Sequence, residues 1–400
     1  MKPSMSRRSF LASTVAASVT AASALRVLGA NDRIRLGIIG TGSRGTYLMK
    51  RANEIGGIEW VAVCDCWDVR RDQGAEAAGA AVAKEADYRK LLDRKDIDGV
   101  FVATTDHWHS RMTADACRSG KDVYVEKPMT SLPMQGHDVV KAVRETNRIV
   151  QVGVQQRSMA NFIEAKQRIF DSGLIGKVHM VRTIWNANGG YLTPVPSGME
   201  RKPAGLDWDA YLGWLPKIPW DPKRYFNRFA YWDISTGGQT GGLFVHMVDV
   251  VHWFLDIQKP TSAVALGGIY QYDDGRDTAD NINLILEYPQ RLTVTFEASL
   301  TDMIPQNSAD IVFLGTGGRL SIFRSGFKFL PSKENQPAGE ITGGRAAEAT
   351  HIGNWLECLR SRKQPNADAV SGHYSAMACH VGNIAYQKKA RVQWRKEWDL

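Results

Sequence analysis

The chain has 400 residues, 44% apolar and 23% charged, an ordinary globular composition that excludes a disordered chain and is long enough for two hydrophobic cores. Its formal charge is +8, but Lys2, Arg7, Arg8 and Arg26 lie in a leader without acidic residues, and taking those four away leaves +4. So small a surplus excludes nucleic acid as the partner that charge would select.

In that leader, Ser6-Arg7-Arg8-Ser9-Phe10-Leu11 precedes an Ala-rich run that Arg26 interrupts, the pattern of a twin-arginine export signal. The run falls short of the ~20 apolar residues of a membrane span, so no stable span is expected. Residues 1–30 are expected to be removed, after Ala24 or Ala30, and the mature protein to be periplasmic. The twin-arginine route carries proteins that are already folded. Cys64, Cys66, Cys117, Cys358 and Cys379 are an odd, sparse set, and no disulfide framework is expected despite export.

Over residues 31–154, the runs IRLGIIG, EWVAVCD, GVFVAT, DVYVEKP and RIVQVGV alternate with helical patterns, which predicts a parallel sheet of Rossmann type. Residues 155–400 are predicted to form a second, substrate and oligomerisation domain. Its stretch 186–240 is rich in Pro, Gly and Trp and little periodic, as functional insertions beside clefts are. Segments 280–288, 291–301, 309–315 and 319–325 read as strands: Leu292, Val294, Phe296, Ala298 and Leu300 share one face, so an open, mainly antiparallel sheet with one buried face is expected. Gly315-Thr316-Gly317-Gly318 reads as a hairpin turn. Helical patterns at 346–362 and 372–388 can pack back on the first domain. The fold class is α/β followed by α+β.

Gly40-Thr41-Gly42-Ser43-Arg44-Gly45 follows the first strand and opens a helix, the context a dinucleotide fingerprint requires. The first glycine permits the tight turn, the second lets backbone N–H groups approach a pyrophosphate, and the third lets helix and strand pack closely. Asp65 closes the second strand, where a carboxylate accepts from both ribose hydroxyls and repels a 2′-phosphate. NAD is therefore expected over NADP, although Arg70 and Arg71 follow closely and could neutralise that phosphate.

Two further segments, Ala103-Thr104-Thr105-Asp106-His107-Trp108-His109 and Val123-Tyr124-Val125-Glu126-Lys127-Pro128, together with the glycine loop, resemble the glucose-fructose oxidoreductase and inositol dehydrogenase family (Gfo/Idh/MocA), in its exported, sugar-acting branch. Leu206-Asp207-Trp208-Asp209 and the stretch from Gly241 to Asp249 also fit. The resemblance implies that Thr104, His107, His109, Glu126 and Lys127 line the cofactor pocket. It implies further that Lys127 reaches the reacting sugar hydroxyl and that His246 lies across the same pocket as acid or base. Oxidising a secondary alcohol requires a group that takes the hydroxyl proton. His246 titrates near working pH with little tuning, whereas Lys127, at ~10.4, is cast first as a donor that orients the hydroxyl. Relatives often carry Asp four residues before this histidine. Here that position is Gly242, which puts simple dehydrogenation in question.

Asp249 is placed to orient His246 or touch a sugar hydroxyl, or else to form a structural ion pair. Gln156 and Arg157 match positions from which relatives hydrogen-bond polyols, with a hinge salt bridge as the alternative. Trp185, Trp208, Trp214, Trp220 and Trp232 lie in or beside the irregular stretch, where indoles stack on sugars or fill a core; of these Trp185, with Tyr231, joins the expected substrate site. Tyr225 and His351 are weaker candidates. His107 and His109 form an H-x-H pair, but no Cys or carboxylate spacing supports a metal, and none is expected.

The leading reading is an NAD-dependent oxidoreductase acting on a sugar or sugar derivative. The alternative is a glycosidase or lyase that oxidises a sugar transiently with no net cofactor turnover, favoured by Gly242 and by export to where no NAD pool exists. A non-catalytic sugar-binding protein is disfavoured by Lys127 and His246. Homo-oligomers, dimers or tetramers, are expected through the open sheet.

Overall fold

The computed structural model describes residues 33–79, 81–187, 194–301, 308–334, 339–342 and 347–400. The expected export signal, and residues 188–193 of the irregular stretch, lie outside them.

Six strands form the first sheet: β1 (Ile34–Ile39), β2 (Ile58–Cys64), β3 (Ala83–Glu85), β4 (Gly99–Val102), β5 (Asp122–Val125) and β6 (Val150–Val152). All pairs are parallel, in the order β3-β2-β1-β4-β5-β6. Helices cover both faces, so β4 and β5 are buried at every residue, which is why they read as continuous apolar runs. The chain reverses direction of winding between β1 and β4. A ligand crevice is expected there, beyond the carboxyl ends of the strands. The sequence had shown five of the six strands; β3 is Ala-Lys-Glu at a half-exposed edge, with no apolar run to mark it.

The second sheet holds β7 (Val178–Asn186), β8 (Ser262–Gly268), β9 (Asn281–Tyr288), β10 (Leu292–Ser299), β11 (Ser308–Gly315), β12 (Gly318–Phe323), β13 (Gly326–Pro331), β14 (Gly339–Thr342) and β15 (Val392–Gln393). Their order is β14-β13-β12-β11-β7-β10-β9-β8-β15. Every pair is antiparallel except β7 with β10, so the sheet is mixed at that one seam. Leu292, Val294, Phe296, Ala298 and Leu300 are all buried, on the face covered by helices Val245–Leu255 and Ala369–Lys388. The glycine turn does join β11 to β12, with Gly315 opposite Gly318.

Helix Ala347–Ser361 packs on the first sheet: Trp355 is fully buried with its ring 4.9 Å from Phe101, in one core with Leu36 and Ile38. The next helix, Ala369–Lys388, bridges the two units, with Gly372 against Val152 and Gly382 against Leu284. Among the described residues no helix is long and apolar enough to cross a membrane.

From the second unit, residues 203–229 run back along the carboxyl edge of the first sheet. The Asp68 N–H donates to Gly205 O at 3.2 Å and the Asp207 N–H to Cys66 O at 2.9 Å, while Trp108 Nε1 donates to Tyr211 O at 2.9 Å. The irregular stretch is thereby a strap across the crevice.

Candidate functional site

Beneath the strap lies a cavity of about 910 Å3, at the upper end of the ~300–1,000 Å3 common for small-molecule sites. It runs from Asp65, Tyr88 and Arg89 past Gly42 to Lys127 and Phe229. Gly40 turns with φ +91°, and a Cβ there would lie 2.6 Å from Ala103 O. At Gly45 it would lie 2.0 Å from Gly40 O, whereas at Gly42 it would meet no protein atom within 4 Å. Packing therefore accounts for the outer glycines. The middle one, on the cavity wall at the start of helix Ser43–Ile55, is left to be explained by a ligand whose anionic part approaches the backbone. Ser43 and Arg44 line the same wall. This cradle fits a dinucleotide pyrophosphate.

At the far end, Asp65 accepts from the Thr41 N–H at 2.9 Å and the Trp67 N–H at 3.1 Å, while burial pushes its carboxyl above the usual range. Arg71 donates to the Asp65 carbonyl at 2.7 Å, and Arg70 to Gln73 at 2.9 Å. Both arginines are thus engaged within this wall. Tyr225, from the strap, closes the same end.

At the other end stands Lys127. Burial lowers its ammonium to about 8, only partly offset by the charges of Asp106 and Glu126. Its Nζ donates to Gly242 O at 2.6 Å and lies 5.8 Å from the centre of the Phe229 ring. Glu126 is buried, but the Arg44 guanidinium, 2.7 Å away, keeps it ionised: burial acts to raise its pKa, and Arg44 and Lys127 outweigh that. Asp106, fully buried, takes Arg228 at 2.7 Å and the Thr236 hydroxyl at 3.0 Å.

His246 follows a π-helical turn, Thr240–Phe244, a local widening of the helix often found at functional sites. It does not line the cavity. It is buried, its ring stacked on Trp185 with centroids 6.3 Å apart, and its Nδ1 has no hydrogen-bond partner among the described residues. Burial first, then the charges of Lys127 and Arg324, hold it neutral well below its ordinary pKa. The little-tuned base expected from sequence is thus a strongly perturbed one.

Other expected residues are placed differently. Asp249 and Arg157 engage each other at 2.7 and 2.9 Å, and Ser375 donates to the same carboxylate at 2.8 Å, so this is a buried structural ion pair and neither contacts the cavity. Tyr231 packs with Leu215, Ala230 and Ile234, outside the cleft. Gln156 is buried, its Oε1 without a partner among the described residues. His107 Nε2 faces Tyr211 O at 3.0 Å and lies off the cavity wall. Thr104 and His109 do line the cavity, and the two nitrogens of His109 face Pro128 O at 2.8 Å and Thr104 O at 3.1 Å, tying the Thr104 and Lys127 loops together. His351 is held between Ser158 and Val152 O. Among the described residues no group of three or more His, Cys, Asp or Glu is placed to hold a metal. Sequence reasoning missed Asp106, Arg228 and Phe229, whose places depend on contacts more than a hundred residues apart.

Residues 34–154 match the family model described as "Oxidoreductase family, NAD-binding Rossmann fold", and residues 216–321 match "GFO/IDH/MocA C-terminal domain", together more than half of the chain. The chain belongs to the Gfo/Idh/MocA oxidoreductase family. It is 30% identical over 150 residues to an inositol 2-dehydrogenase of Salmonella typhimurium, covering 37% of this chain and 44% of that one. It is 31% identical over 160 residues to a glycosyl hydrolase family 109 protein of Saccharopolyspora erythraea, covering 37% and 34%. The matched stretch thus spans less than half the length of these curated relatives. In fold the chain is similar to a levoglucosan dehydrogenase solved with NADH and levoglucosan, with a TM-score of 0.71 at 16% identity, over 90% of this chain and 99% of that one.

Proposed function

We propose that the protein is an NAD-dependent oxidoreductase that removes hydride from a hydroxyl-bearing carbon of a sugar or sugar derivative. The observation that carries this reading is Lys127, brought to about 8 at the end of a cavity whose middle glycine faces open space. A bound NAD supplies the hydride acceptor. The Gly42–Gly45 turn and the helix N-terminus receive its pyrophosphate, and Asp65 favours a free ribose over a phosphorylated one. About one Lys127 in ten is neutral at pH 7, and the neutral Nζ takes the proton of the substrate hydroxyl. His246, neutral and crowded by two cations, suits a hydrogen-bonding role. That order of roles reverses the expectation from sequence. The test is to titrate the purified chain with NAD and follow NADH formation over a panel of sugars: formation that Lys127→Met abolishes supports the reading, and equal rates in the variant overturn the assignment.

A second reading, a glycosidase or lyase that oxidises the sugar only transiently, is supported by Gly242. A Cβ there would lie 2.6 Å from the Phe229 ring and the Gly242 carbonyl already accepts from Lys127, so the Asp often found in relatives has no room. The likeness to a glycosyl hydrolase family 109 protein points the same way. Aglycone release without accumulating NADH selects this reading; NADH formed in proportion to sugar consumed removes it.

The leader supports export by the twin-arginine route to the periplasm, checked by whether Arg7→Lys with Arg8→Lys leaves the protein in the cytoplasm. The outer face of the second sheet supports homo-oligomers: Val264 and Ile285 are exposed side by side near Leu266, which is 78% exposed. Light scattering of the mature chain decides between monomer and oligomer.

A further inference from the structure

Arg324 occupies the turn between β12 and β13, and that turn is pinned. Buried Asn161 donates through Nδ2 to Phe323 O at 2.9 Å and reaches Gly326 O at 3.5 Å. The guanidinium lies over the Trp185 ring, 5.2 Å from its centre, and the same indole stacks on His246. Arginine, indole and imidazole thus form one contiguous group, and its imidazole lies near enough to Lys127 to feel that charge.

Other arginines around the site are neutralised. Arg44 has Glu126, Arg228 has Asp106 and Arg157 has Asp249, each at 2.7 Å. Arg324 has no ion pair or hydrogen bond with any described residue, and its side chain is exposed. Stacking on the indole holds the guanidinium plane in place and leaves its five donors uncommitted. Such a group matches a carboxylate or phosphate by paired, charge-assisted hydrogen bonds.

We propose that the substrate is an anionic sugar, whose carboxylate or phosphate Arg324 holds while the reacting hydroxyl meets Lys127. Arg324 is then the residue that selects substrate, and Trp185 the surface that orients it. The inference rests on the oxidoreductase reading for its chemistry, but not for its binding.

The test uses the full mature chain with saturating NAD. Binding of glucuronate, glucose 6-phosphate and glucose is measured by calorimetry, alongside NADH formation. At least one anionic sugar is expected to bind ~10-fold or more tighter than glucose. The preference falls to near parity in Arg324→Gln, while glucose and NAD binding are unchanged, and returns in part in Arg324→Lys. Preference for glucuronate identifies a carboxylate, and preference for glucose 6-phosphate a phosphate. Equal binding of all three sugars by the wild type, or a preference that survives Arg324→Gln, overturns the proposal. Anion preference without oxidation or glycoside cleavage keeps Arg324 as the selector and sinks the redox reading instead.

Discussion

Two alanine substitutions three residues apart separate what the glycine loop does for the fold from what it does for the ligand. At Gly45 the added Cβ would lie 2.0 Å from Gly40 O and 3.0 Å from Gly40 C, backbone atoms that cannot swing aside. Overpacking of this kind costs ~1–3 kcal/mol, and a contact with backbone belongs near the top of that range. At ~2–4 °C per kcal/mol for a domain of this size, Gly45→Ala should melt roughly 5–10 °C lower. At Gly42 the backbone has φ −65° and ψ −173°, ordinary for alanine, and the Cβ meets nothing within 4 Å. Gly42→Ala should therefore stay within ~0.5 kcal/mol of wild type in stability. It should nevertheless lose NAD at least ~10-fold, about 1.4 kcal/mol, because the methyl occupies the space left for the pyrophosphate. Thermal melts without ligand and NAD calorimetry read the two effects. A Gly42→Ala protein that binds NAD like wild type, or that melts as low as Gly45→Ala, would refute the argument.

Lys127→Met is expected to lower kcat by ~10²–10⁴. Because the neutral amine is the active form, kcat/KM of the wild type should rise with pH and level off above about 8; a profile flat from pH 6 to 9 would assign the proton elsewhere. The same depressed pKa disfavours the folded state fully below about 8 and progressively less up to 10.5, since there the unfolded chain binds more protons; Lys127→Met should flatten that part of the stability profile. Asp65→Ser should weaken NAD and strengthen NADP, shifting the ratio of their dissociation constants by ~10-fold or more, and an unchanged ratio would remove Asp65 from the ribose site. Asp249→Ala leaves the partly buried Arg157, which keeps its bond to Asn366 O, without its carboxylate and should cost about 3 kcal/mol in denaturant unfolding. A loss of turnover with unchanged stability would return Asp249 to the substrate site.

What the sequence revealed was what local spacing controls. The glycine loop is legible because strand, turn and helix follow one another within a few residues. Leu292 to Leu300 are legible because one buried face imposes alternation. Fates decided by distant partners were not. Asp249 is claimed by Arg157 from 92 residues away, and Asp106 by Arg228 from 122. In each case a charged residue near a motif has its role set by which cation the fold delivers. The parallel seam between β7 and β10 is equally hidden, because strand patterning records which face is buried but not which neighbour is paired. Lys127 was assigned from its reference pKa, whereas the surrounding protein that lowers it to about 8 exists only once the chain is folded.

The central claim is that hydride passes from a sugar carbon to a bound nicotinamide beside Lys127. The most direct measurement is a single turnover of the NAD-loaded protein with sugars deuterated at carbon, followed by mass spectrometry of the recovered cofactor. The account expects the nicotinamide to gain one deuterium, kept to the end of the turnover in the dehydrogenase reading and, in the transient-oxidation reading, carried only until the deuteride returns to the sugar, so the reaction is quenched at several times within the turnover; the gain should vanish in Lys127→Met. A cofactor that stays unlabelled at every quench time within the turnover, while substrate is bound and converted, would contradict it.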